Sequence, residues 1–386
     1  GDVVLPCAKL DLSRVQSPAY VIDMAALERN LATLAHAQAA SGCTILLALK
    51  GFATWSTFPL VGRYLDGVSA SGPDEARLGR EELGKQVHTY CPAFSEESLR
   101  ESIRYSDHVV FNSPSQIARF RSLIEQHVSE VSFGLRINPE HSEVDVAIYD
   151  PCAPGSRLGA TREQLRDADL RGIDGLHFHT LCELGADALE RTLAAMEERF
   201  APWLENAKWV NFGGGHHITK PGYDVGLLID LIRAFRHEHQ VDVFLEPGEA
   251  IGLQTGVLVS MVLDIVDNDG PIAILDVSAT AHMPDVLEMP YRPEVRGAGM
   301  PGELPYDYAL GGLSCLAGDM IGTYSFDAPL RVGDKLVFED MGHYTMVKTT
   351  TFNGVRLPSI ALYDPGDDSY RVQREFTYED YRDRLS

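Results

Sequence analysis

"TILLALKGF", residues 44–52, is a β-rich apolar run that ends on a charged amine, Lys50. Such a lysine has two readings. It snorkels from the rim of a packed structure, or it is delivered to a pocket in order to react. The rest of the chain bears on the choice. Seven similar runs follow: "DGVSAS" (66–71), "VHTYCP" (87–92), "HVVFN" (108–112), "VSFGLRIN" (131–138), "GLHFH" (175–179), "WVNFGGG" (209–215) and "VDVFLEPG" (241–248). Stretches with apolar residues at helical spacing separate several of them, among them "PDEARLGREELG", "PSQIARFRSLIEQ", "ADALERTLAAMEERFAPWL" and "DVGLLIDLIRAFRHEH". "DMAALERNLATLAHAQAAS" precedes the first run as a further helix, with Asp23 as its cap. Eight strand–helix alternations favour a parallel (β/α)8 barrel over an open doubly wound sheet. A barrel collects its chemistry at the C-terminal strand ends, and there lie Lys50, Asn112, Arg136, His179, residues 213–216 and Glu246.

Past residue 255 the pattern changes to strands parted by turns, as in "TGVLVSMVLDIVDNDG", "PIAILDVSA", "KLVFEDMGHYTM" and "VRLPSIALYD". The expected organisation is an α/β barrel over 17–255 and a C-terminal β-domain over 256–386, joined by the N-terminal segment 1–16.

The 386 residues carry a net charge of −23. That argues against nucleic acid and anionic membranes as partners, and it suits a cationic substrate. No apolar run has the length of a membrane span, and the first residues lack a signal-peptide pattern. Six scattered cysteines read as reduced thiols, so a cytoplasmic location is expected. Several motifs fail. "GREELGK" (79–85) lacks the Ser or Thr of a phosphate-binding loop and lies on the wrong side of its strand. "GAGMPG" (297–302) opens no helix. "HEHQ" (237–240) and His216–His217 lack partners at metal-ligand spacing, so no metal is expected.

One constellation survives. Strand eight of a closed barrel neighbours strand one, which sets Glu246 across a pocket from Lys50. His179 and the triplet Gly213, Gly214 and Gly215 end the strands between. Singly, each has a structural reading: rim lysine, core histidine, tight turn, ion-pair acid. Together they meet the needs of pyridoxal 5'-phosphate. The cofactor needs a lysine amine, backbone N–H groups open to a phosphate, an acid for the pyridine nitrogen and a ring to stack on.

With "YVIDMAALERNL", "LLALK", "GLHFH", "NFGGG", "EPGE", "GGLSCLAGD" (311–319) and "DMGHYT" (340–345), the chain resembles the fold-type III pyridoxal phosphate decarboxylases over nearly its whole length. These have the alanine racemase-like fold. The resemblance implies that Lys50 carries the cofactor, His179 stacks on it, and Gly213, Gly214 and Gly215 with Tyr344 bind its phosphate. It also implies that Glu246 holds the pyridine nitrogen, and that Cys315 and Asp319 reach the site from the second subunit of a homodimer. Racemases of this fold place an arginine where Glu246 stands, so decarboxylation is expected, with Cys315 as candidate proton donor.

The ornithine and diaminopimelate branches read "EPGR" where this chain reads "EPGE", and Glu249 replaces the arginine. A carboxylate there suits a distal amine. The pattern is similar to the branch acting on carboxynorspermidine and carboxyspermidine in polyamine biosynthesis. Glu249 and Asp285 are the expected amine-binding pair, and His282 is a further candidate. Decarboxylation of diaminopimelate, ornithine or arginine, and non-enzymatic cofactor binding, are the alternatives.

Overall fold

The strand that opens the barrel also closes it. In the computed structural model, which describes residues 4–386, it runs as Thr44–Ile45 and Leu47–Ala48. The first piece pairs in parallel with Asp242–Leu245, and the second with Gly67–Ala70. Between them the Leu46 N–H donates to the Leu245 carbonyl at 2.8 Å. Gln86–Tyr90, His108–Phe111, Ser132–Arg136, Ile173–His177 and Trp209–Asn211 complete the ring, all parallel. The barrel is the expected one, and its first strand enters the sheet twice because it borders both edges.

The strands stop earlier than the sequence suggests. Lys50 and His179 lie two residues past their strands, and Glu246 one residue past. The residues that bear chemistry therefore sit on the first turn of each loop. Helix Met24–Ser41 starts as expected, with Asp23 Oδ1 accepting the Ala26 N–H at 3.0 Å. The stretch 114–126 divides into Pro114–Arg119 and Arg121–His127, because Phe120 leaves helical geometry.

One compact unit is Asn30–Ile251. The other takes the start of the chain through Arg29 together with Gly252–Ser386. These bounds differ from the expected 17 and 255. "AYVID", Ala19–Asp23, is buried on both faces and lies between Gly256–Asp267 and Ser359–Asp364 in the second unit's mixed sheet. Pro271–Leu275, Tyr306–Gly311 and Met320–Phe326 extend that sheet on one side and Ser369–Arg374 on the other. Lys335–Phe338 also pairs with Gly256–Asp267.

Histidines line the barrel interior. The His88 and His108 rings lie 4.0 Å apart, packed on Phe244 and Trp209, and His216, the residue after the glycine triplet, is buried. Burial disfavours their charged forms. It pushes His88 well down, and His108 and His216 to about 4. Unfolded histidine takes up its proton near pH 6.5, so the unfolded state binds more protons between 6.5 and 4. Stability should therefore fall as pH drops through that window, by about 3 kcal/mol for a ring held near 4. Urea unfolding of the cofactor-free protein at pH 7, 5.5 and 4 checks this. A flat midpoint would mean these rings are not buried neutral.

Candidate active site

The barrel unit draws its expected residues together through two loop contacts. After Ala48 the chain turns at once, with the Gly51 N–H donating to the Ala48 carbonyl at 3.0 Å. Gly51 then lies face to face with Gly248. A Cβ on Gly51 would sit 2.9 Å from Gly248 Cα, so this approach needs glycine at 51 and leaves little room for a side chain at 248. The first and last strands thereby bring Lys50, Glu246 and Glu249 into one region. Lys50 retains exposure to solvent. Desolvation lowers its pKa, Glu246 and Glu75 oppose the shift, and Arg136 adds to it.

Glu246 is held by three donors. Ser69 Oγ reaches Oε2 at 2.6 Å, and His177 Nε2 and Asn211 Nδ2 meet Oε1. Burial alone would raise this carboxyl. His177, Ser69 and the remaining polar neighbours outweigh it and bring the pKa down to about 2. Burial pushes His177 itself down, so at neutral pH it acts as a neutral Nε2–H donor rather than a cation. Its Nδ1 has no hydrogen-bond partner, which agrees with that tautomer.

Asn211 has a second task. Its Oδ1 accepts the Gly213 N–H at 2.8 Å, which ties the acid to the glycine turn. Gly213 (φ +68°) and Gly215 (φ +78°) occupy left-handed backbone, and Cβ atoms there would strike the Phe178 and Leu181 carbonyls at 2.3 and 2.0 Å. His179 accepts the Gly214 N–H at Nδ1, 3.0 Å away. Burial drives its pKa well down, so the ring is a neutral platform. Arg136 fixes the same residue by donating to its carbonyl at 3.1 Å. Glu249 pairs with His217 Nε2 at 3.8 Å.

Ser69, His177 and Asn211 were not foreseen, although a signal existed for one of them. In the run "GLHFH" His177 precedes His179 by two residues, the spacing that in a strand puts two side chains on one face.

The sheet unit holds the other candidates. Tyr344 has φ +35°, a strained value for a tyrosine, and strain of this kind gathers at functional sites. Lys348 sits 5.7 Å from the centre of its ring and pairs with Asp285 at 2.8 Å. Asp285 is thus already neutralised by a lysine that sequence reasoning passed over. Cys315 is exposed on its loop. His282 and Asp319, expected beside substrate, are 0% and 3% exposed. His282 accepts the Ser278 N–H at Nδ1, and its Nε2 lies 3.1 Å from the Arg356 carbonyl. Asp319 is filled by donors from its own unit. The structure brings neither to an open surface, because each is committed to internal hydrogen bonds.

Residues 19–342 match the family described as pyridoxal-dependent decarboxylase, C-terminal sheet domain. The chain belongs to the pyridoxal-dependent decarboxylases. It is an enzyme, a carboxy-lyase, and its cofactor is pyridoxal phosphate. It is 47% identical to the carboxynorspermidine/carboxyspermidine decarboxylase of Campylobacter jejuni, over 95% of this chain and 98% of that protein. It is equally 47% identical to the carboxyaminopropylagmatine decarboxylase of a Synechocystis species, over 97% and 96%. The crystal structure of carboxynorspermidine decarboxylase from C. jejuni complexed with norspermidine superposes with a TM-score of 0.89. It is 46% identical, over 96% of this chain and 100% of that one. Diaminopimelate decarboxylase from Helicobacter pylori shares the fold at TM-score 0.79 and 16% identity.

The residues of this decarboxylase fit its cofactor. An accessible lysine with a lowered pKa, a firmly ionised acid, a neutral ring and a turn too tight for Cβ atoms are of the kinds that the group requires. No helix among the described residues is long and apolar enough to cross a membrane.

Proposed function

We propose that this decarboxylase removes the α-carboxylate of carboxynorspermidine and carboxyspermidine, releasing norspermidine and spermidine, as a cytoplasmic homodimer in polyamine biosynthesis. The observation that carries the reading is Glu249, which stands in the turn packed on Lys50 where diaminopimelate- and ornithine-specific relatives resemble one another in having arginine. An acid in that turn attracts a cationic substrate tail and repels a distal carboxylate. The C. jejuni relative named for these substrates supports the same reading.

In this reading, bound pyridoxal phosphate supplies an electron-withdrawing protonated ring. Lys50 would tether it, Glu246 would keep its pyridine nitrogen protonated, and His179 would support its ring. The turn at Gly213, Gly214 and Gly215, whose first two N–H groups are held by Asn211 and His179, would take the phosphate together with Tyr344. Glu249 and Asp285 hold the tail amines, with Lys348 yielding its place on Asp285. When carbon dioxide leaves, the bonding electrons stay on the substrate and a proton replaces it at Cα. Cys315, supplied by the second subunit, gives that proton from its thiol.

The Synechocystis relative favours a second reading, in which the tail ends in a guanidinium. Carbon dioxide release from carboxynorspermidine, carboxyspermidine, carboxyaminopropylagmatine, meso-diaminopimelate, ornithine and arginine separates the possibilities. We expect kcat/KM for the first two to exceed that for diaminopimelate by more than about a hundredfold, since an unpaired buried carboxylate on a bound substrate is strongly disfavoured. Preference for carboxyaminopropylagmatine would favour the second reading. Preference for diaminopimelate or ornithine would remove Glu249 as tail ligand.

A further inference from the structure

Asp319 receives five hydrogen bonds from its own unit. Its Oδ1 accepts from the N–H groups of Ala279 (2.7 Å) and Thr280 (3.3 Å). Its Oδ2 accepts from Ser278 Oγ (2.7 Å), the Ser314 N–H (3.2 Å) and Ser314 Oγ (2.5 Å). Three of these donors lie on the turn at 278–280 and two on the residue just before Cys315. A buried carboxylate that gathers N–H and O–H donors from two segments fixes their separation, since leaving any of these donors unpaired is costly. The loop itself is short. The Gly312 N–H donates to the Asp319 carbonyl and the Asp319 N–H to the Leu316 carbonyl, so little slack lies between acid and thiol. A second tie acts on the cysteine directly. Its N–H donates to Asn353 Oδ1 at 2.6 Å, and Asn353 sits in left-handed backbone (φ +65°) that asparagine and glycine tolerate. Leu316 is anchored in turn, its N–H donating to Ser314 Oγ at 3.4 Å.

The geometry points to Asp319 as a positioning residue, the anchor that, with Asn353, sets where the Cys315 thiol stands, rather than as a ligand for substrate. Its significance for turnover rests on the reading above, in which Cys315 meets the substrate. The anchoring does not. Asparagine is the informative replacement. It keeps the shape, but an amide NH2 must face at least one backbone N–H that the carboxylate now accepts, whichever way the group is turned.

In the Asp319→Asn holoenzyme we expect the rate of iodoacetamide labelling at Cys315, read by mass spectrometry of its peptide, to change at least about threefold. We expect kcat to fall about tenfold to a hundredfold, with KM within about twofold and cofactor absorbance retained. Ser314→Ala, which removes the hydroxyl bonds to Asp319 and Leu316, and Asn353→Gly, which removes the tie to the Cys315 N–H, lie at more exposed positions and should shift labelling in the same sense. They keep the test decisive if Asp319→Asn does not fold. Unchanged labelling in the folded variants would overturn the anchor. A rise in KM with labelling and kcat unchanged would overturn it too, and make Asp319 a substrate ligand. Altered labelling with unchanged kcat would uphold the anchor and remove Cys315 from the chemistry.

Discussion

Lys50→Ala should leave a folded protein that releases no measurable carbon dioxide, a loss of more than about a thousandfold. The argument is positional as well as chemical. Lys50 follows the strand that seals the barrel, and the Gly51–Gly248 contact clamps the backbone beside it, so its place in the fold is fixed. Desolvation has already lowered its pKa, which raises the fraction of free amine at neutral pH. Borohydride treatment offers a readout independent of turnover. It should fix pyridoxal phosphate to the Lys50 peptide in the parent protein and to no peptide in the variant. Normal turnover by Lys50→Ala would end the assignment.

Glu246→Gln should bind the cofactor and lower kcat by about a hundredfold to a thousandfold, the scale at which a preorganised charge at the reacting group acts. Glutamine keeps the volume and can still face His177 and Asn211 with its oxygen. What it loses is the negative charge that holds a proton on the pyridine nitrogen. With its pKa lowered to about 2, the carboxylate stays ionised well below neutral pH, so the acid limb of the pH–rate profile belongs to other groups. The sign for stability follows. The folded value lies below the ordinary carboxylate value of 4.5, so Glu246 contributes roughly 3 kcal/mol above that pH, lost as pH falls toward 2. A variant with the parent's kcat would show that the charge is dispensable.

Much of this was readable in the sequence, for a definite reason. The barrel repeats one local pattern eight times, and the fold places the end of each repeat at the same rim. Lys50, His179, the three glycines and Glu246 could therefore be assembled from strand order alone. What local pattern cannot encode is partnership at a distance. "AYVID" precedes a long helix and looks like the start of the barrel, yet its hydrogen-bonding partners begin at Gly256 and Ser359. Asp319 was placed beside substrate by the family resemblance alone. Its five donors became visible only once 278–280 and Ser314 were folded around it. Asp285 was read as a bare acid because Lys348, its partner, lies far along the chain. Ser69 and Asn211 are small polar residues within apolar runs, and nothing in those runs distinguishes a donor to Glu246 from a tolerated polar residue.

The sealing strand has a further consequence, one of timing. Thr44 pairs with Phe244, about 200 residues later. A growing chain exposes the lysine segment early, but its hydrogen-bonding edge stays unmatched until the last barrel strand leaves the ribosome. The pocket is thus completed by the final act of closure, and a truncated or stalled chain presents Lys50 without the acid that makes it useful. Cofactor capture then reports on completion of the ring, and half-made barrels gain no stabilisation from the ligand that protects finished ones.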